Sequence, residues 1–561
     1  MNCPTFSPCQ DEARAHQRAS DAAPTCGESL ITLLERYGVD HVFGIPGVHT
    51  IELYRGLAAS SIRHITPRHE QGAGFMADGY ARVTGKPGVC LIITGPGMTN
   101  IATAMAQAYA DSIPMLVISS VNARRELGSG DGRLHELPSQ RAIFAGLTAF
   151  SHTLLDAADL PQVLARAFAV FSSARPRPVH IEIPLDVIVS PAEAPANALI
   201  TTAARPAPDA AAIAAAAGLL ARAKRPLILA GGGAMDAAEP LRALAERLQA
   251  PVALTINAKG LLPCGHPLLL GSTQSLPQTR ELVRDADVVL AIGTELGETD
   301  YDTVFDGGFA IDGHLIRIDI DTGQLMRNFR AGTAIVGDAK AALSGLAAAL
   351  GSSPADASAV WGAARVARAR AKIEAGYDAP TRTQAALIET LAAVLPGVII
   401  AGDSTSPTYV GNLTYDAASP RTWFNSSTGY GTLGYGLPAA IGAKLAAPHR
   451  PVVCLIGDGG LQFTLPELAS AVQAGAPVIV VVWNNAGYGE IRKYMTAHDI
   501  TPVGVDPYTP DFITLAHGFG CLAHTVDDPA SLAAALRQAT VAQRPTVIEI
   551  RETDWFAKAG A

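Results

Sequence analysis

The chain has 561 residues, 48% hydrophobic and 17% charged, with a net charge of −9. That length exceeds what one hydrophobic core serves and predicts about three domains; the composition excludes a chain disordered throughout. The acidic balance offers no basic face for nucleic acid, and apolar runs such as PVIVVVW (477–483) fall short of the about 20 residues of a membrane span.

Residues 1–24 are polar, carry Asp11 and Glu12, and lack the apolar core of a signal peptide; they are expected to form a flexible extension. Seven cysteines, with no CxxC pair, leave zinc and thioredoxin-type readings without support and fit reduced thiols in a cytoplasmic protein.

From 25 to 190, helical stretches such as ESLITLLERYG alternate with HVFGIP (41–46), GVCLIIT (88–94), PMLVISS (114–120) and PVHIEIP (178–184). After an Ala/Pro-rich linker (191–209), a block over 205–350 carries RPLILAGGG (225–233), DVVLAIG (287–293) and HLIRIDID (314–321). A second linker (351–359) leads to a block over 375–553 with GVIIAGD (397–403), PVVCLIGDGG (451–460), PVIVVVWNN (477–485) and PTVIEI (545–550). Unbroken Val/Ile/Leu runs alternating with helices predict an α/β chain of three doubly wound parallel sheets, covered on both faces. Blocks one and three share a strand–helix texture. Ligands of such sheets sit beyond the strand carboxyl ends, so the residues just after each strand are the candidate site.

In block three, one buried strand ends in Gly457-Asp458-Gly459-Gly460 and the next in Trp483-Asn484-Asn485, followed by Ala486-Gly487. The glycines admit a bulky anion to the backbone, and a helix start favours phosphate. A carboxylate, an amide oxygen and a carbonyl are hard ligands of the kind Mg²⁺ takes beside diphosphate oxygens. A lone GDG is usually a turn; the pair after two buried strands is far more specific. Other candidates are Glu70 in RHEQGAG, opening a helix of small residues, and the Gly-rich GYGTLGYGLPAA (429–440). Ser404, Thr405 and Ser406 follow the strand GVIIAGD and offer hydroxyls to a phosphate.

These segments resemble the thiamine-diphosphate enzymes, in which GDG is followed one strand–helix unit later by NN. Over roughly residues 25–553 the block order resembles the acetolactate synthase and 2-oxo-acid decarboxylase group: pyrimidine-binding, middle, diphosphate-binding. The resemblance implies Mg²⁺ on Asp458, Asn485 and the Gly487 carbonyl, and Glu70 hydrogen-bonded to N1′ of the aminopyrimidine. It also implies the Gly431 carbonyl on the 4′-amino group and Leu433 as the wedge bending the cofactor. Glu70 would act across a subunit interface in a homodimer or homotetramer.

Where synthases of this group carry FQE, this chain has Leu134-His135-Glu136, and GYGEIRKYM (487–495) lacks their Trp after NN. These departures argue against an anabolic synthase and against FAD; Gly231-Gly232-Gly233 reads as a strand-to-helix turn. GIPGVHTIELYRGL (44–57), the stretch from Arg68 and GRLHELPSQRA (132–142) are similar to the 5-guanidino-2-oxopentanoate decarboxylases of arginine catabolism. That subgroup releases CO₂ and 4-guanidinobutanal; the alternative is an acetolactate synthase-type carboligase acting on pyruvate. Glu136, Glu490 and Asp131 are candidate partners for a guanidinium tail. His49 and His135 are candidate proton relays.

Overall fold

The computed structural model describes residues 23–192, 200, 202–302, 306–351 and 361–559. The expected extension up to residue 22, and parts of both expected linkers (193–199, 201 and 352–359), lie outside them.

The first sheet comprises β1 (His41–Gly44), β2 (Arg63–Ile65), β3 (Gly88–Ile92), β4 (Met115–Val121), β5 (Phe150–Thr153) and β6 (Pro178–Pro184). The second holds β7 (Pro226–Ala230), β8 (Val252–Leu254), β9 (Leu269–Gly271), β10 (Val288–Ile292), β11 (His314–Asp319) and β12 (Thr333–Val336). The third holds β13 (Ile399–Gly402), β14 (Trp423–Asn425), β15 (Val452–Gly457), β16 (Ile479–Asn484), β17 (Leu522–Val526) and β18 (Thr546–Arg551). All pairings are parallel. The first sheet runs β2-β1-β3-β4-β6-β5 and the third β14-β13-β15-β16-β18-β17, so the third repeats the first strand for strand. In each, the order reverses beside the first strand of its block, and that reversal opens the crevice where doubly wound sheets bind ligands.

The helices that matter for the site are α1 (Glu70–Thr84), α2 (Pro96–Asp111), α3 (Ser406–Thr414), α4 (Gly436–Ala446), α5 (Asp458–Thr464), α6 (Glu467–Gln473) and α7 (Gly489–Ala497). The sequence predicts one helix after Gly460; Leu465-Pro466 divides it into α5 and α6, because a proline supplies no N–H to an uninterrupted helix.

Helices α1 and α4 consist largely of small residues and are buried almost throughout. A Cβ at Gly79 would strike the Ala439 carbonyl, and one at Gly442 the Met76 carbonyl. The pairings 79 with 439 and 76 with 442 run in opposite directions, so the helices cross antiparallel at near-backbone contact. One cluster of buried side chains runs from Phe43 and Ile92 through both helices to Val452 and Val480. The middle sheet keeps cores of its own. There, Gly231 packs its backbone on Gly293, whose carbonyl a Cβ would strike, as a strand-to-helix turn requires. That turn also lines a cavity of about 280 Å³.

Candidate active site

At the reversal of the third sheet, β13 delivers Ser404 and Thr405, β15 delivers Asp458, and β16 delivers Asn485. Asp458 is 1% exposed. Its Oδ1 accepts the Asn485 N–H at 3.4 Å and its Oδ2 the Gly487 N–H at 2.8 Å. Burial raises its pKa, only partly offset by these N–H groups, so a nearby cation would stabilise the charged form. The Asn485 side-chain oxygen is buried without a partner. A buried orphan acceptor is costly unless something takes its lone pair, and here it belongs to a residue whose backbone N–H reaches a desolvated carboxylate. These donors fit a hard divalent cation.

Glycine is required around this centre: a Cβ at Gly459 would lie 2.7 Å from the Tyr488 ring, and one at Gly460 2.8 Å from Asp403 Oδ1. Thr405 Oγ1 would be 3.0 Å from a Cβ at Gly457, and Ser404 Oγ lies 3.1 Å from Ser426 Oγ. The Ser406 hydroxyl accepts from Gln384 at 2.6 Å and keeps its proton to donate. Asp403, which the sequence does not single out, is fully buried, and burial pushes its pKa up to about 6. It accepts the Ser404 and Gly436 N–H groups at 2.9 Å and so ties the hydroxyl loop to the start of α4. The loop before α4 holds Gly431 at φ 76° in open space, with Leu433 half-buried beside it.

Glu70 opens α1 at the carboxyl end of the first sheet and is 9% exposed. Asn100 on α2 donates to its Oε2 at 2.9 Å, and a Cβ at Gly97 would lie 3.2 Å from its Oε1. The turn before it is held by Glu467 on α6, which accepts the Arg68 and His69 N–H groups at 3.0 and 3.1 Å. Sequence reasoning misses Glu467 and Asn100, because only the fold brings them to Glu70. His49 and His135 meet edge to face with ring centroids 5.1 Å apart. The Nδ1 atoms of both are buried without partners. Burial lowers the pKa of His49, and the neighbouring His135 lowers it further. The His135 backbone packs on Gly95, two residues from Gly97, so this pair shares the crevice with Glu70.

Within one chain the two halves stand apart. Asn100, beside Glu70, is near the start of α2, whereas Thr428 hydrogen-bonds Asp111 at its end. At a rise of about 1.5 Å per residue these points lie roughly 16 Å apart. Likewise Tyr435 meets Asp78 well along α1 from Glu70.

Three parallel α/β units thus bring a desolvated carboxylate and an orphan amide oxygen together in the third block, and a buried glutamate in the first. Thiamine pyrophosphate enzyme domains match the chain in order: the N-terminal TPP binding domain over residues 24–143, the central domain over 213–346, and the C-terminal TPP binding domain over 403–550. The chain belongs to the thiamine pyrophosphate (thiamine diphosphate) enzymes. It is 48% identical over 94% of both chains to the probable 2-ketoarginine decarboxylase AruI of Pseudomonas aeruginosa. It is 34% identical to the acetolactate synthase large subunit of Corynebacterium glutamicum, covering 96% of this chain and 88% of the relative. It is 32% identical to the acetolactate synthase isozyme 1 large subunit of Escherichia coli, over 94% of each. Among the described residues no helix is long and apolar enough to cross a membrane.

Proposed function

We propose that the chain is a Mg²⁺-assisted, thiamine-diphosphate-dependent decarboxylase that converts 5-guanidino-2-oxopentanoate to 4-guanidinobutanal and CO₂. The observation that carries the substrate is the 48% identity to a probable 2-ketoarginine decarboxylase, against 32–34% to acetolactate synthases. The orphan side-chain oxygen of Asn485, on the residue whose N–H reaches the desolvated Asp458, supports the metal.

When bound, the cofactor would supply a carbanionic centre and an electron sink for the bond pair left behind as CO₂ departs. Asp458, Asn485 and the Gly487 carbonyl hold the cation, while Ser404, Thr405 and the N–H groups around Gly457, Gly459 and Gly460 receive the diphosphate. Glu70 holds a proton at N1′. Gly431 and Leu433 fix the aminopyrimidine and its bend. His49 and His135, with free ring nitrogens, carry the proton that completes the aldehyde. The roughly 16 Å between the Glu70 end and the loop end of α2 supports a homodimer or homotetramer in which Glu70 serves a loop of another copy.

Glu136 is already engaged by its own loop, accepting the Gly130 and Arg133 N–H groups at 2.7 and 2.9 Å. Asp131 approaches Arg133 at 4.0 Å. Glu490, on the first turn of α7 just beyond Gly487, pairs with the exposed Lys493 at 2.9 Å and is free to turn to a guanidinium. The test is product analysis with the guanidino acid, pyruvate, 2-oxobutanoate and benzoylformate, with Glu70→Gln as control. Preferred release of 4-guanidinobutanal, lost in the control, is expected. Acetolactate from pyruvate as the main product would instead make the chain a carboligase.

A further inference from the structure

The loop from Gly429 to Gly434 is open at its tip: Gly429 and Gly431 are exposed, and Tyr430 is 51% exposed. The residues on either side of it are the opposite. Thr428 is 8% exposed and Tyr435 fully buried, and each is tied by its hydroxyl to a carboxylate of the first block. Thr428 Oγ1 donates to Asp111 Oδ1 at 2.9 Å, and the Tyr435 hydroxyl donates to Asp78 Oδ1 at 2.5 Å.

Both carboxylates converge on one side chain. Arg82 is 6% exposed. Its Nε donates to Asp78 Oδ1 at 2.6 Å and its Nη2 to Asp111 Oδ2 at 2.5 Å. Its Nη1 donates to Asn257 of the middle block at 3.1 Å, and Asn257 donates back to Asp111 at 3.3 Å. Gln107 adds a bond to Asp111 at 2.7 Å. A planar guanidinium fixes two carboxylates at a set angle and spacing, which a lysine would not do. A buried charged cluster of this kind contributes little net stability over an apolar one; what it supplies is fixed geometry.

We propose that Arg82, through Asp78 and Asp111, is a positioning centre that clamps both ends of the 429–434 loop and presets the frame on which Gly431 and Leu433 meet the aminopyrimidine. The proposal rests on reading that loop as the pyrimidine-binding segment. The centre touches no reacting atom. It lowers the ordering cost of cofactor binding by fixing the two anchors beforehand. It also joins all three blocks at the loop, since Asp78, Arg82 and Asp111 come from the first, Asn257 from the second, and Thr428 and Tyr435 from the third.

Removing Arg82 would strand two buried carboxylates and risk unfolding, so the test cuts the tethers instead. Thr428→Val and Tyr435→Phe, alone and combined, keep shape and leave both Arg82–carboxylate pairs in place. Thr428→Ser restores one hydroxyl, and Leu433→Ala tests the underlying reading. In the apoenzyme, hydrogen exchange of the 429–434 amides is expected to speed up in the double variant while other segments stay protected. Thiamine diphosphate, titrated with Mg²⁺ present, is expected to bind on the order of tenfold more weakly; Thr428→Ser should bind like wild type. Unchanged loop exchange and unchanged cofactor affinity in the double variant, with Leu433→Ala impaired, would overturn the clamp alone. An unimpaired Leu433→Ala would overturn the loop reading and the clamp with it.

Discussion

Asp403 and Glu490 carry the sharpest residue-scale expectations. Asp403 has a folded pKa of about 6 set by burial, above that of an unfolded aspartate. The folded state therefore binds its proton more tightly, and this group adds stability as pH falls from 7 towards 5 and withdraws it as pH rises through 6. In Asp403→Asn the effect is absent. Thermal melts of the apoenzyme at pH 7 and pH 5 should show wild type gaining about 1 kcal/mol relative to the variant; parallel slopes would contradict the raised pKa. Glu490→Gln removes the proposed carboxylate for the guanidinium. KM for 5-guanidino-2-oxopentanoate should rise on the order of tenfold or more, with steady-state kinetics on a 2-oxo acid bearing an uncharged side chain unchanged. An equal effect on both substrates would move Glu490 out of the recognition role.

At the scale of elements, the crossing of α1 and α4 sets the geometry of both halves of the site. Gly442→Ala would drive a methyl into the Met76 carbonyl. Backbone does not yield as a flexible side chain does, so the loss should exceed about 3 kcal/mol and show as a large fall in Tm; a Tm within a degree or two of wild type would mean the helices can part. The sequence reveals these helices as runs of small residues but not their crossing, which depends on two distant segments meeting. Strands such as GVCLI and VVCLIG are legible because both faces are buried. The edge strands β5 (FSHT) and β17 (LAHTV) are not, because they are half-covered and carry no apolar run. For the same reason the site is unevenly readable. Asp458, Asn485 and Glu70 stand in local patterns with a chemical rationale, whereas Glu467, Asn100 and Asp403 act through contacts that no local pattern announces.

For the whole molecule, the decisive feature is that one chain separates Glu70 from its own 429–435 loop while the third sheet repeats the first. Two copies related by a two-fold axis can place each Glu70 at the loop of the other. Chains carrying Glu70→Gln and chains carrying Asp458→Ala should each be inactive as homo-oligomers. Co-expressed and assayed as the unsorted mixture of dimers, they should regain CO₂ release from 5-guanidino-2-oxopentanoate at about a quarter of the wild-type rate, because about half of randomly assembled dimers are mixed and each mixed dimer keeps one intact site of two. That recovery would support at once the cofactor chemistry, the role of Glu70 and the shared site; mixed oligomers as inactive as either parent would contradict the account.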